Sequence, residues 1–472
     1  MSSLPTSTPA AQGVDAGGIQ AFLDALESDP RIEPHSLMLV RHGQVVASGW
    51  WSPYTPDRPQ LLYSLSKSFT ATAAGFAVAE GLIRLDDPVI SYFPEFEADI
   101  TDPRSRAMLV RHVASMASGH VAETVDRALA QDRQELVRGF LLIPPDRDPG
   151  TVFAYNQPAT YTLGAIVQRV TGQTLTEYLR PRLFEPLGIG RADWIHDRAG
   201  RELGFSGLHA TTDAIARLGL LYLRGGMWEG ERLLPEWWVA EATRAQIAHE
   251  AGPEVGWPDW QQGYGFQFWM ARHGYRGDGA YGQFCVVLPE QDAVLAITSQ
   301  TEEMQQVLDL AWEHLLPAFG PGPLSGREAA DAALADRLTR LALPPAEGKA
   351  VAAEDTTVFT PAGGTCADQP SLTAVEVGPA GRLTLVDDGE RLDLGAGLGE
   401  GGWRVVDEPL PVAVSGGWSD AETIDIDVAF LETPHHLLIT CSPGDRTFTA
   451  HWRTRPLHAG PLRRMRAPRA SA

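Results

Sequence analysis

The chain has 472 residues, 44% of them apolar and 21% charged, the composition of an ordinary globular protein long enough for more than one domain. Its net charge of −22 repels phosphate backbones and anionic lipid, which argues against nucleic acid or a membrane surface as a partner. No apolar run of about 18 residues is present to span a bilayer.

The opening stretch MSSLPTSTPAAQG has neither the basic nor the apolar region of a secretory signal. Cys285, Cys366 and Cys441 are far apart and in no ligand-like spacing. A cytoplasmic location without bound zinc is therefore expected. Helical spacing of Ile19, Phe22, Leu23 and Leu26 predicts a helix over 18–28. Two apolar runs, 36–41 and 44–50, separated by His42-Gly43, predict a β-hairpin, and a second hairpin is expected from 281–288 and 293–299. A helical stretch at 302–316 follows it. Between the hairpins the chain is mostly helical, with helices expected at 161–170, 175–183, 212–223 and 234–244. Strands at both ends with helices between imply one antiparallel sheet assembled from distant segments, beside a helical subdomain.

From about Phe319 the composition changes. PGPLSG and LPPAEG flank a short helical stretch at 327–341 and mark 321–354 as a linker after a first domain of residues 1–320. Beyond Asp355 the pattern is strand-like: Ile424, Ile426, Val428 and Phe430 alternate with Asp425, Asp427 and Ala429, and Asp387-Asp388-Gly389 is a hairpin turn. Residues 355–472 are read as an antiparallel β domain, sandwich or small barrel, with a terminal tail.

Among the 38 basic residues only Lys67 and Lys349 are lysines. Arginine stays charged, whereas a buried lysine can lose its proton and act as a base. Lys67 lies in Ser64-Leu65-Ser66-Lys67, ahead of the apolar stretch 69–82. At a helix start, residues three apart share a face, and the free N–H groups there favour a developing oxyanion. A desolvated lysine amine can take the proton of a serine hydroxyl and make it a nucleophile. A surface serine beside a solvated lysine is the bland alternative.

The segment LLYSLSKSFTATAAGFAVAEGLIRLDDPVISYFPEF resembles the serine hydrolases related to class C β-lactamases and D-alanyl-D-alanine carboxypeptidases. RHVASMASGH, GTVFAYNQPATYTLGAIVQRVTGQTLTEYLRPRLFEPLGI and GYGFQFWMARHGYRGDGAYGQFCVVLPEQDAVLAITSQ are similar to further landmarks of that family, in the expected order, over about residues 10–318. The resemblance implies an α+β, β-lactamase/transpeptidase-like fold: an antiparallel sheet, flanking helices and a helical subdomain, with the C-terminal β domain appended.

It also implies Ser64 as nucleophile, Lys67 as base and Tyr155 as the tyrosine that shares the proton and returns it to the leaving group. A nearby cation is expected to lower the Tyr155 pKa. Gln157 stands where the family's Tyr-x-Asn motif has asparagine, with Asn156 just before it. The family's Lys-Thr-Gly or His-Thr-Gly finds its nearest match in Tyr275-Arg276-Gly277, ahead of Asp278, with His273-Gly274 as a competing anchor. In the first register the Asp278 N–H joins that of Ser64 at the oxyanion. Arg276 then either forks onto a substrate carboxylate or pairs with Asp278. The missing lysine in that motif argues against a penicillin-specialised β-lactamase.

Residues 276–278, Arg-Gly-Asp, are not read as an adhesion signal, His435-His436 are read as structural rather than metal-binding, and the basic tail 463–466 as a solvated terminus. The expected function is acyl transfer through an acyl-enzyme on a small ester or amide, carboxylesterase-like, with no cofactor. A peptidase, amidase or acyltransferase is the alternative within the class, and a non-catalytic binding protein the alternative outside it. The oligomeric state is not legible.

Overall fold

A computed structural model describes residues 3–249, 257–351 and 354–469. The first helix, α1 (Ala16–Ser28), is capped by Asp15, whose carboxylate accepts from the Gly17 N–H, and it buries Ile19, Phe22, Leu23 and Leu26 as the spacing predicts. The hairpin β1 (Glu33–Arg41) and β2 (Gln44–Trp50) follows. Next come the helices α2 (Ser66–Ala79), α3 (Gln157–Thr171) and α4 (Thr212–Leu223). Strands β3 (Trp269–Met270), β4 (Tyr275–Gly279), β5 (Gln283–Leu288) and β6 (Ala293–Gln300) complete an antiparallel sheet of order β2-β1-β6-β5-β4-β3. Its centre is the pairing of β1 with β6, Leu37 opposite Ile297 and Leu39 opposite Leu295, which joins the two hairpins across more than 250 residues of sequence. β5 and β6 are buried at every position, so helices cover the sheet on both faces.

The helices depart from expectation at proline. The stretch predicted at 175–183 is helical over Leu175–Leu179, then widens into a π turn over Arg180–Phe184 around Pro181, which has no N–H to donate. In the same way α5 (Met304–Leu310) runs into a π turn over Ala311–Leu315 ahead of Pro317. Within 321–354, α6 (Glu328–Leu338) packs against α1 and β2, and Leu334 and Leu341 join the first domain's core.

The C-terminal strands β7 (Thr357–Pro361), β8 (Leu372–Gly378), β9 (Arg382–Asp387), β10 (Glu390–Asp393), β11 (Arg404–Val406), β12 (Val412–Trp418), β13 (Ile424–Phe430), β14 (His435–Ser442) and β15 (Thr447–Trp452) form one nine-stranded sheet. Its order is β10-β9-β8-β7-β15-β14-β13-β12-β11, antiparallel except where β7 meets β15. The sheet curls around its own core, in which Ile424, Ile426, Val428 and Phe430 of β13 meet Phe359, Val375 and Leu385. Asp388 and Gly389, both at positive φ, make the expected hairpin turn.

This sheet touches the first domain close to α2. The Leu61 N–H donates to the Glu432 carbonyl at 2.9 Å. Glu33 lies 2.9 Å from His436 Nε2 and pairs with Arg453. Among the described residues no helix is long and apolar enough to cross a membrane.

Candidate active site

The junction before α2 sets the geometry. Tyr63 sits at φ +47°, in the left-handed region, and Tyr63–Leu65 form a single 3₁₀ turn leading into the helix. A bulky residue at positive φ is strained, a cost of order 1–3 kcal/mol that the surrounding structure must offset. Ser64 is left partly accessible at the helix start, while α2 behind it is buried almost all round. Ser66 Oγ accepts from the Leu208 N–H at 3.0 Å, Ser68 Oγ donates to the Gln267 carbonyl at 2.9 Å, and Thr70 Oγ1 donates to the Gly204 carbonyl at 2.8 Å. These bonds fix the rotation of the helix and hence the direction of Lys67.

Lys67 is 1% exposed. Its Nζ has three partners: Ser64 Oγ at 2.9 Å, Gln157 Oε1 at 2.7 Å and the Phe205 carbonyl at 2.8 Å. The amide and backbone oxygens can only accept, so two N–H groups go to them. A neutral amine then has its lone pair directed at Ser64. Burial pushes the Lys67 pKa down to about 7, against the opposing pull of Glu123 and Asp278.

Tyr155 lies over the same amine, with Nζ 4.7 Å from its ring centroid, and its phenol neighbours Ser64. The ring stacks on Trp269 at 5.3 Å and meets Tyr264 edge-on. Sequence reasoning expects a lowered phenol pKa beside a lysine. The structure reverses that direction: burial, reinforced by the Asp278 carboxylate, pushes it well up. At neutral pH the phenol therefore keeps its proton.

Asn156 and Gln157 separate in role. Asn156 is buried, and its Oδ1 accepts from the N–H and hydroxyl of Thr124. It braces the start of α3 and does not meet the Lys67 amine. Gln157, one residue later, reaches Lys67. Its own N–H is held by Glu123, whose carboxylate also caps Thr124 and Val125.

Arg276 lies on β4. It is fully buried, its Nε donates to Asp278 at 3.0 Å and Nη1 to the Asp259 carbonyl at 2.8 Å, and its guanidinium stacks on Trp260 at 4.1 Å. Of its two expected roles the pairing with Asp278 is present, and the Trp260 indole covers one face of the guanidinium. Gly277 and Gly279 mark where β4 passes the helix start. A Cβ on Gly277 would meet Leu65 and Ser68 at 2.5 Å, and one on Gly279 would lie 2.0 Å from the Leu62 carbonyl oxygen. β3 pairs with β4 only at Tyr275 and Arg276, so from Gly277 onward the outer edge of β4 faces residues 62–68. The Asp278 carboxylate is buried between Arg276 and Lys67; burial raises its pKa, against both cations.

The sequence reading missed Phe205, Glu123, Trp269 and the C-terminal domain's approach to Tyr63. A backbone carbonyl such as that of Phe205 leaves no residue-type signature. Among the described residues, Glu33, His35 and His436 place three ligand atoms within 4.8 Å of one another. Those atoms already serve each other: Glu33 Oε1 lies 3.1 Å from His35 Nε2 and 2.9 Å from His436 Nε2, while Asp427 takes His436 Nδ1 at 2.8 Å. The cluster works as a hydrogen-bonded seam between the domains.

The sequence matches the β-lactamase family model over residues 19–319. It is 28% identical over 312 residues to a 6-aminohexanoate-dimer hydrolase of Paenarthrobacter ureafaciens, covering 61% of this chain and 78% of that protein. It is 27% identical over 208 residues to esterase EstB of Burkholderia gladioli, covering 38% of this chain and 53%, about half, of that one. Among solved structures, EstCE1, described as a hydrolase with promiscuous acyltransferase activity, superposes with a TM-score of 0.51 at 19% identity, over 63% of this chain and 98% of its own; this likeness is one of fold. The chain belongs to the β-lactamase family of serine hydrolases.

Proposed function

We propose that this protein is a serine hydrolase that acts through an acyl-enzyme on ester or amide bonds of small substrates, carboxylesterase-like in preference. One observation carries the reading: a buried lysine whose two acceptor-only partners leave its lone pair for Ser64. Relatives named as a hydrolase and an esterase support the class.

Lys67 takes the Ser64 proton onto Nζ as Oγ bonds to the carbonyl carbon, and the carbonyl π pair moves onto oxygen. N–H groups of Ser64 and of Asp278 on the outer edge of β4 hold that oxyanion. Collapse expels the leaving group, which receives a proton from Tyr155, itself reprotonated from Lys67. Water then attacks the acyl-enzyme by the same route, releasing the acid and restoring Ser64. An ester leaves as an alcohol or phenol and needs less help from the proton donor than an amine does, so esters are the favoured substrates. The mechanism uses no cofactor.

The test is nitrophenol release from p-nitrophenyl butyrate by wild type, Ser64→Ala and Lys67→Ala, with intact mass in parallel. Release by wild type alone, with a transient butyryl adduct on Ser64, is the expected result. A persistent adduct released only by an added alcohol or amine makes the protein an acyltransferase. No release and no fluorophosphonate labelling of Ser64 would overturn the catalytic reading in favour of a binding protein.

A further inference from the structure

A chamber of about 720 Å³ adjoins this site, and both domains build it. Its volume is that of a small-molecule pocket. It begins at Tyr63, one peptide bond from Ser64, and at Phe205, whose carbonyl holds Lys67. The walls are apolar: Leu129, Leu136 and Leu203 from the first domain face Pro456, Ala459 and Met465 from the segment after β15. Leu129 is 39% exposed, in a protein that otherwise buries nearly all its large apolar side chains.

Three arginines line the same chamber, Arg133 and Arg198 from the first domain and Arg464 from the second. All three are exposed, and none has an ion-pair partner among the described residues, whereas most arginines of this acidic protein are paired. The other charged side chains lining the chamber are two aspartates. Asp197 accepts from the Tyr161 hydroxyl and from the N–H groups of Ala199 and Arg201, which commits its charge. Asp126 alone opposes the arginines. His209 and His458 also line the wall, and burial pushes the His209 pKa down to about 3, so it adds no charge at neutral pH.

We infer that this chamber receives the acyl group of the substrate, and that the acyl group has an apolar body ending in a carboxylate. The inference rests on the acyl-enzyme reading and on the chamber's lining by Tyr63, next to Ser64 in sequence, and by Phe205, whose carbonyl holds Lys67. The apolar walls take its chain by burial, and the arginines meet its distal anion. The segment 456–465 is thus a specificity wall supplied by the C-terminal domain.

The test compares mono-p-nitrophenyl octanedioate with its ω-methyl ester, equal in length but neutral. Wild type should prefer the free acid by about tenfold in kcat/KM, and added salt should shrink the preference. The ratio should fall to near one in Arg133→Gln/Arg198→Gln/Arg464→Gln; a ratio within one enzyme is insensitive to general loss of activity. Equal rates in wild type, or a preference that survives the triple substitution, would overturn the inference.

A separate arm does not depend on turnover. Monomethyl octanedioate should bind Ser64→Ala in calorimetry and lose binding when the three arginines are replaced, and absence of binding would also overturn the inference. Failure of fluorophosphonate labelling at Ser64, by contrast, counts against the serine hydrolase reading, and the binding arm still decides the chamber.

Discussion

The phenol of Tyr63 donates to Nε2 of His435 at 2.5 Å, so the residue before Ser64 is held by the C-terminal domain. His435 Nδ1 faces the Thr454 carbonyl at 3.0 Å, an acceptor only, which fixes the tautomer and leaves Nε2 to accept. Burial pushes the His435 pKa down to about 3, keeping the ring neutral as this bond requires. Tyr281 packs edge-on against both rings. The strained backbone at Tyr63 is thereby pinned from the far domain, and the position of Ser64 depends on domain contact.

Tyr63→Phe keeps the ring and removes the bond, leaving a buried acceptor on His435 without a partner. A loss of about 1–3 kcal/mol in urea unfolding is expected. Turnover of p-nitrophenyl butyrate should fall by roughly tenfold or more as Ser64 shifts. Unchanged turnover in a destabilised variant would show that the bond supports the fold without positioning Ser64.

Lys67 sets the acid limb of activity. It must be neutral to accept the Ser64 proton, and its pKa is about 7. The ratio kcat/KM should therefore rise with pH through about 7 and level off above it. Lys67→Arg, permanently charged, should lose about 10²–10⁴-fold at every pH. A flat profile between pH 5 and 9 would reject Lys67 as the base.

The Ser64–Lys67 pair was legible because it is local: three residues apart at a helix start, in a chain almost without lysine. Helices with clean apolar spacing were legible for the same reason, and α4 spans the predicted 212–223. What was not legible depends on partners far away in sequence. Nothing local distinguishes an Arg276 that reaches for a ligand from one covered by Trp260, 16 residues earlier. The Tyr155 pKa runs opposite to the expected direction because burial, set by partners distant in sequence, dominates it. Asn156 and Gln157 differ by one position, and only the turn into α3 decides which amide meets the amine.

Two buried histidines make stability pH-dependent. Burial pushes His209 and His435 each down to about 3 from an ordinary value near 6.5. The unfolded chain then binds more protons between those values. The stability they contribute is complete above pH 6.5 and is lost as pH falls toward 3, at about 1.4 kcal/mol per unit for each ring. Urea midpoints should drop steeply from pH 7 to 5, and His209→Phe should reduce the slope by about one proton. An identical slope in that variant would assign the acid sensitivity elsewhere.

Gly279 tests the approach of β4 to the helix start. A methyl group there meets the backbone oxygen of Leu62, which cannot rotate aside. Gly279→Ala should push the strand off residues 62–68 and lower kcat by at least about a hundredfold, while circular dichroism keeps the native spectrum. Near-wild-type kcat would mean that this strand edge takes no part in holding the oxyanion.

Gln157→Glu separates the charge of the Lys67 partner from its hydrogen bond. The side chains are nearly isosteric, so Oε1 remains at hydrogen-bond distance from Nζ, where the amide oxygen lies at 2.7 Å. A carboxylate there favours the ammonium, and the lysine must then lose its proton against an opposite charge. The acid limb should move up by about 1–3 pH units, so activity at pH 7 falls by tenfold or more and recovers above pH 9. Gln157→Asn, one methylene shorter, removes the bond without adding charge and should lower activity at every pH with the limb unshifted upward. If Gln157→Glu instead loses activity equally from pH 6 to 10, the titrating group is not Lys67, and the base must be sought among its neighbours.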